Sequence, residues 1–434
     1  MWTGPPDPNR SPTRRPSAIH PLRFLLLPVV LLALLPLAAC SDDAPPPSSS
    51  GGAFDDVAQL MQRTLNVRAA ALRQRDEARF RRTLDRSDAA LVEQQVTYFH
   101  NISQLPVGVL RLRLDADTVT PEDGTGDYWA EVVVVLRLDG YDAAAVRTLD
   151  RYRFTPSKNG ARMVIASTTD HAWEADRPGN AQPWDLGRVH VEQAVGVLGI
   201  FDDATADHAE AVVEAASNGQ YDVRAVVGAD DSPSSSGVVV YSLADPAFLR
   251  GLAGRTVGDP DRADGLTIAV PVDASDLSKG VASYRMFLNP RVLDVEPGVL
   301  GRLVRHELTH ATLGKRGHGA PLWLSEGIAE YVSVRQMPPG RRRLPASALS
   351  VGGAAEDLPG EEEFSGAQAE AWYAVSWWVC EYVASTYGEQ MLFELLDRLA
   401  DGADQDDVLP EVLGITPAQL TQRGVALMTT TYDR

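Results

Sequence analysis

Between residues 54 and 90 the apolar positions recur at helical spacing. Leu60, Met61, Leu65, Val67, Ala71 and Leu72 stand among Arg and Glu, with neither Pro nor Gly in the stretch, which predicts helix. From about residue 107 the pattern changes to strands. Val109–Leu114 alternates Leu with Arg, Trp129–Leu138 is rich in β-branched residues, and Pro121–Gly126 between them has the composition of a hairpin turn. A second strand pair is expected over Asp150–Phe154 and Arg162–Ala166, joined through Pro156–Gly160. The stretch Asp176–Pro183 breaks the pattern and marks a boundary. Beyond it a helix is predicted over 203–217, and strands over Tyr221–Val227, Val238–Tyr241, Leu266–Val270 and Tyr284–Leu288, with a loop at Asp230–Gly237. After Pro290 the chain reads as mainly helical, and no internal repeat is present. The fold class expected is α+β: a compact unit over 54–176, then a unit over 177–434 with a small mixed sheet and a mainly helical C-terminal half.

The length of 434 residues suits two or three domains. With 44% hydrophobic and 23% charged residues the chain has an ordinary globular composition. An excess of 59 Asp+Glu over 40 Lys+Arg, net −19, argues against a nucleic-acid partner, whose phosphates need clustered cations. Two cysteines exclude a disulfide scaffold and a four-cysteine zinc site. The first of them closes a distinctive N-terminal pattern. Arg10, Arg14, Arg15 and Arg23 precede an apolar run, Phe24–Leu37, which ends in Leu37-Ala38-Ala39-Cys40. A basic start, an apolar middle and small residues at the end form a secretory signal. The run is too short, and too interrupted by Pro28 and Pro36, for a good membrane span. Its ending resembles a bacterial lipobox. That resemblance implies a signal peptide over 1–39, cleavage before Cys40, lipidation of its sulfur, and a body held outside the cytoplasmic membrane on the Pro/Ser/Gly tether of residues 40–53. Cys380 is then the one remaining thiol; it lies in an apolar helical stretch and is expected to be a core side chain.

Residues 306–310 read His-Glu-Leu-Thr-His, inside a helix predicted from Pro297 to Gly314. Two histidines four apart share a helical face and can present a nitrogen each to one zinc ion, while Glu307 is placed to act as general base towards water activated by that ion. By chance the pattern would arise in about one such chain per hundred, so the residues around it decide. A third protein ligand is needed. Leu313 and Arg316 occupy the positions where a metzincin carries Gly and His, which excludes that class. A second amphipathic segment, Pro321–Val334, carries Glu326 and Glu330 four apart, and spacing leaves both as candidates for the third ligand.

The pair His306/His310 followed by Trp323-Leu-Ser-Glu-Gly-Ile-Ala-Glu-Tyr331 resembles the peptidase-MA-like gluzincin metallopeptidases related to aminopeptidase N. The resemblance implies one Zn2+ ion held by His306, His310 and Glu326, with Glu330 orienting a ligating histidine. It implies hydrolysis of a peptide or protein substrate with Glu307 as base. From Glu370–Trp378 it also implies that Tyr373 binds the tetrahedral oxyanion. The loop between His310 and Glu326 is shorter than in the aminopeptidase relatives. The Gly-x-Met-Glu-Asn element that recognises a free amino terminus is absent, so aminopeptidase specificity is not expected. Ser283–Asn289 stands where these enzymes carry an edge strand, and such an edge can add an extended peptide. The 54–176 unit resembles in pattern the nuclear-transport-factor-2-like cone; no convergent polar set is visible in it, and a spacer or docking role is expected. Arg341–Arg343 and Glu361–Glu363, in a long loop after the second helix, are expected to be solvated, as is His318. The chain therefore reads as a lipid-anchored, extracytoplasmic zinc metallopeptidase. The alternative is a non-enzymatic lipoprotein that binds a ligand or partner and keeps its zinc domain for structure.

Overall fold

The computed structural model describes residues 50–228, 237–245, 249, 263–338 and 341–432. The predicted signal, Cys40, most of the tether, nearly all of the 230–237 loop and the side chain of His318 lie outside the described residues. The helical stretch predicted over 54–90 is divided into α1 (Ser50–Gln74), α2 (Glu77–Arg81) and the start of α3 (Ala89–Gln104). Arg75 turns the chain with φ at 53°, and the acids that follow act as caps. Asp76 accepts from the backbone N–H of Arg79 at 2.8 Å and Asp88 from that of Leu91 at 3.0 Å, each satisfying an orphan donor of a first turn.

Five strands follow: β1 (Val107–Leu114), β2 (Thr120–Pro121), β3 (Tyr128–Leu138), β4 (Val146–Pro156) and β5 (Met163–Ser167). They form an antiparallel sheet in the order β1-β3-β4-β5, with β2 on β3. In β1 Leu110, Leu112 and Leu114 turn inward while Arg111 and Arg113 face solvent, as the alternation requires. Met61, Leu65 and Leu72 of α1 and Phe99 and Ile102 of α3 close that apolar face. This unit of helices and sheet, called the cone below, carries a cavity of about 720 Å³ lined by Arg68, Tyr98, Asp150, Tyr152 and Asp185 among others. The sequence showed no convergent polar set there; the folded chain has one, assembled from segments far apart in sequence.

After the short helices α4 (His171–Ala175) and α5 (Pro183–Leu186) comes a mixed sheet. Its strands are β6 (His190–Ala194), β7 (Val197–Phe201), β8 (Val238–Ser242), β9 (Gly265–Pro271) and β10 (Val281–Leu288), in the order β6-β7-β8-β10-β9. β7 and β8 run parallel, joined across α6 (Ala209–Val227), as a parallel pair demands. The helical half comprises α7 (Pro297–Leu313), α8 (Lys315–Gly319), α9 (Leu322–Arg335), α10 (Ala348–Ala354), α11 (Glu361–Ser365), α12 (Ala369–Tyr387), α13 (Gln390–Ala400), α14 (Gln405–Leu413) and α15 (Pro417–Tyr432). The sheet is covered on both faces. Phe201, Val240, Met286 and Leu288 join the core of the helical half, whereas Ile200, Val239, Tyr241, Ile268 and Phe287 continue the core of the cone.

Four expectations differ. The stretch between α9 and α12 is not one long loop: it carries α10 and α11, with Glu361–Glu363 in the first turn of α11. Tyr221–Val227 is the end of α6, not a strand: Val212, Val213, Ala216, Gln220 and Val223 bury at helical spacing, and packing against α7 overrides the β-propensity of the Val-rich end. Ser283–Asn289 is not an edge: β10 lies between β8 and β9, and β9 is the outer strand on that side of the sheet. The run Arg341–Arg343 is not wholly solvated, since Arg342 donates to the carbonyl of Met337 at 3.2 Å and its own carbonyl accepts from Tyr432 at 2.9 Å.

A buried ion pair ties the two sheets. Arg285 of β10 meets Asp142, in the turn after β3, at 2.9 Å, with side-chain exposures of 2% and 0%. Asp142 also accepts from Ser283 at 2.8 Å and from the Leu138 N–H at 2.8 Å. Removing one partner leaves a buried charge without compensation. Asp142→Ala is therefore expected to destabilise the protein by about 3–5 kcal/mol, read as a lower urea midpoint.

Candidate metal centre

α7 starts with Pro297 in its first turn and stops at Gly314, whose φ of 54° lies in the left-handed region. A Cβ at that position would also stand 3.0 Å from the ring of Tyr284. α9 begins directly after Pro321 and is buried nearly all round, from Trp323 to Val334 with Glu330 the partial exception. It packs on α7 and α12. The contact with α12 is close: a Cβ on Gly327 would fall 2.6 Å from the Ser376 carbonyl oxygen and 2.7 Å from the Cys380 sulfur. Glycine after Glu326 is thus a packing requirement, and Cys380 is fully buried against it.

α7 and α9 together bring three donor atoms to one point. His306 Nε2 and His310 Nε2 are 3.2 Å apart, and Glu326 Oε2 lies 3.2 Å from each. Donors held at about 2.0–2.1 Å from one tetrahedral ion stand about 3.3 Å apart, so this triangle has the size such an ion needs. Two imidazole nitrogens facing each other beside a buried carboxylate are all lone-pair groups; a cation between them is what the donor set fits. His306, His310 and Glu326 form a group that can hold a metal ion.

Glu330 does not join that triangle. One turn further along α9, its Oε1 lies 3.4 Å from His306 Nδ1, the ring nitrogen turned away from the donor cluster. The approach is too oblique for a formed hydrogen bond, so the contact is electrostatic. It favours the tautomer with the proton on Nδ1 and the lone pair on Nε2. Arg302, one turn before His306 on α7, holds the other Glu330 oxygen at 2.5 Å. Sequence reasoning passed over Arg302, although its i−4 spacing from His306 was the available signal.

Glu307 is 5% exposed and seated against β9. Thr267 Oγ1 lies 2.9 Å from its Oε2, and Gly265 leaves its carboxyl room: a Cβ there would stand 2.9 Å from Oε1. No local pattern announces these two residues, because the strand and helix that meet are distant in sequence. Tyr373, on α12, has its ring 6.2 Å from that of His306, and Phe364 of α11 stacks edge-on against it at 5.1 Å.

Three carboxyl groups, two imidazoles and Arg302 share the buried site. Burial opposes ionisation of Glu326, yet His310 and His306 overcome it and hold the carboxyl well below the usual range. Glu330 is likewise pulled down to about 2 against its burial, by His306 and Arg302. Burial disfavours a charged His306, but Glu326 and Glu330 override it and raise its pKa well above that of a free imidazole. Glu307 differs: burial keeps its carboxyl above the ordinary range despite the pull of the two histidines. Burial, and then Glu326, Glu307 and Glu330, keep the phenol of Tyr373 protonated, hence a donor.

Equilibrium dialysis with a divalent metal should find one ion per chain. His310→Ala and Glu326→Ala are expected to lose it. Glu330→Ala should retain it with affinity lowered about 10–100-fold, the usual cost of removing a group that orients a ligand. No protein-family model, no curated protein and no solved structure matches the chain.

Proposed function

We propose that the chain is a zinc-dependent metallopeptidase of the gluzincin type, held outside the cytoplasmic membrane by a lipid on Cys40. The observation that carries the reading is the triangle of His306, His310 and Glu326, with the buried Glu307 next to His306 on α7. A metal kept for structure alone has no use for a carboxyl group in that place. Zinc, when bound by those three residues, supplies Lewis acidity towards a peptide carbonyl and towards water.

The chain's own residues do the rest. Glu307 takes the proton, and its upward-shifted pKa suits a group that must hold the proton before passing it to the leaving amine. Tyr373 donates its O–H to the oxygen that gains negative charge. Glu330 and Arg302 keep the His306 ring in its orientation. An extended peptide would lie along β9, the outer strand whose Gly265 and Thr267 touch Glu307, pairing by strand addition. The cone is the part of the body nearest the anchor in sequence.

The competing reading, a non-enzymatic lipoprotein with a structural zinc site, differs in one measurable respect. Digests of a mixed peptide library by the wild type should show cleavage that falls about 10²–10⁴-fold in Glu307→Gln, with zinc content unchanged in both. Identical digests from the two zinc-loaded proteins would sink the peptidase reading. Tyr373→Phe should lower kcat about 10²-fold with little change in KM.

A further inference from the structure

The cone's cavity, lined by none of the metal-centre residues, holds a buried cation with no carboxylate bonded to it. Arg68 of α1 is 1% exposed. One of its nitrogens, Nη2, donates to Gln95 Oε1, whose amide in turn donates to Thr168 Oγ1 at 2.7 Å. Nε and Nη1 have no hydrogen-bond partner. The guanidinium rests instead on aromatic faces, its carbon 4.3 Å from the Phe80 ring centre, 5.4 Å from that of Tyr98 and 5.9 Å from that of Tyr152. Ring faces and a neutral amide offset part of a buried charge; an anion is the group that completes it.

The surroundings make a chemical pattern. Along β4, Val146, Thr148, Leu149, Asp150 and Tyr152 line the cavity, as do Val134 and Leu136 of β3. Trp173 and Trp184 complete an apolar, ring-rich wall. The volume of about 720 Å³ is in the range of sites for small organic molecules, which lie at about 300–1,000 Å³. Burial, then repulsion from Asp185, raises Asp150 well above the ordinary carboxylate range, and burial raises Tyr98 and Tyr152 too.

We propose that the cavity of the cone is a binding site for a small organic monoanion with an apolar, ring-sized body, whose charge is received by Arg68. A dianion fits less well, because Asp150 and Asp185 share the wall. The site stands independently of the peptidase reading, being on the other side of the mixed sheet from α7.

The probe is 8-anilinonaphthalene-1-sulfonate, titrated by fluorescence and calorimetry into the purified full chain. It should bind one saturable site. Arg68→Met should weaken it about tenfold or more, and Arg68→Lys should restore most of the affinity, because the charge is what counts. Thr148→Trp, which narrows the cavity and leaves Arg68 in place, should weaken binding with the thermal midpoint kept; this variant carries the test if Arg68→Met fails to fold. N-phenyl-1-naphthylamine, the same body without the sulfonate, should bind at least about tenfold more weakly. Equal affinity for the two dyes, unchanged binding in Thr148→Trp, or a stronger response to the cation tryptamine would each overturn the proposal.

Discussion

A mixed sheet whose inner strands have no solvent-facing side is the constraint on which the rest of this structure turns. Because β7 and β8 are buried along their whole length, both faces must be covered by other parts of the same chain. The helices α6 and α7 take one face, and the cone takes the other. This arrangement makes the sheet the wall of two cores at once. It also forces any polar group on the cone side to find its partners there: Arg285 donates to Asp142 and Tyr241, and Ser283 donates to Asp142 in turn. On the opposite side the same sheet presents β9 to Glu307, so the position of the carboxyl group is set by a strand that is itself fixed from behind.

Within the helical half the decisive interaction is the close approach of α9 to α12. Gly327 lets the two backbones nearly touch, and that depth of burial places Glu326 under the two histidines of α7. Burial then makes the charge balance stringent. Glu330 has Arg302 and Glu307 has a hydroxyl, but Glu326 has only the imidazoles. The carboxylate and the two rings are a complete set only with a cation among them, a proton being the least that serves and a metal ion the best match to three donors.

What was legible in the sequence follows from the range of the interaction that encodes it. His306, Glu307 and His310 were readable because one helical turn holds them, and Glu326 and Glu330 because another does. The strands β1, β3 and β4 were readable because one face meets solvent and the pattern alternates. Tyr221–Val227 was misread because a Val-rich helix end buried on a neighbour has the composition of a strand. The position of β10 inside the sheet was hidden, since a run of apolar residues does not say which strands flank it. Thr267 against Glu307, and Arg68 against Tyr98, Asp150 and Tyr152, are meetings of distant segments, and no spacing rule reaches that far.

Seen from the sheet, the two halves carry opposite imbalances. The helical half gathers buried carboxylates and imidazoles around one point, a donor set for a cation; the cone buries a guanidinium among rings, with no carboxylate bonded to it. Neither imbalance stabilises the fold, because a buried charge without its complement costs more than an apolar residue of the same size. A chain that needed only a stable core would do better with Leu or Met at position 68 and with uncharged residues at 306, 310 and 326. The sites where local chemistry works against stability are therefore those where a ligand of the opposite sign restores it. In this protein they lie on the two sides of one sheet.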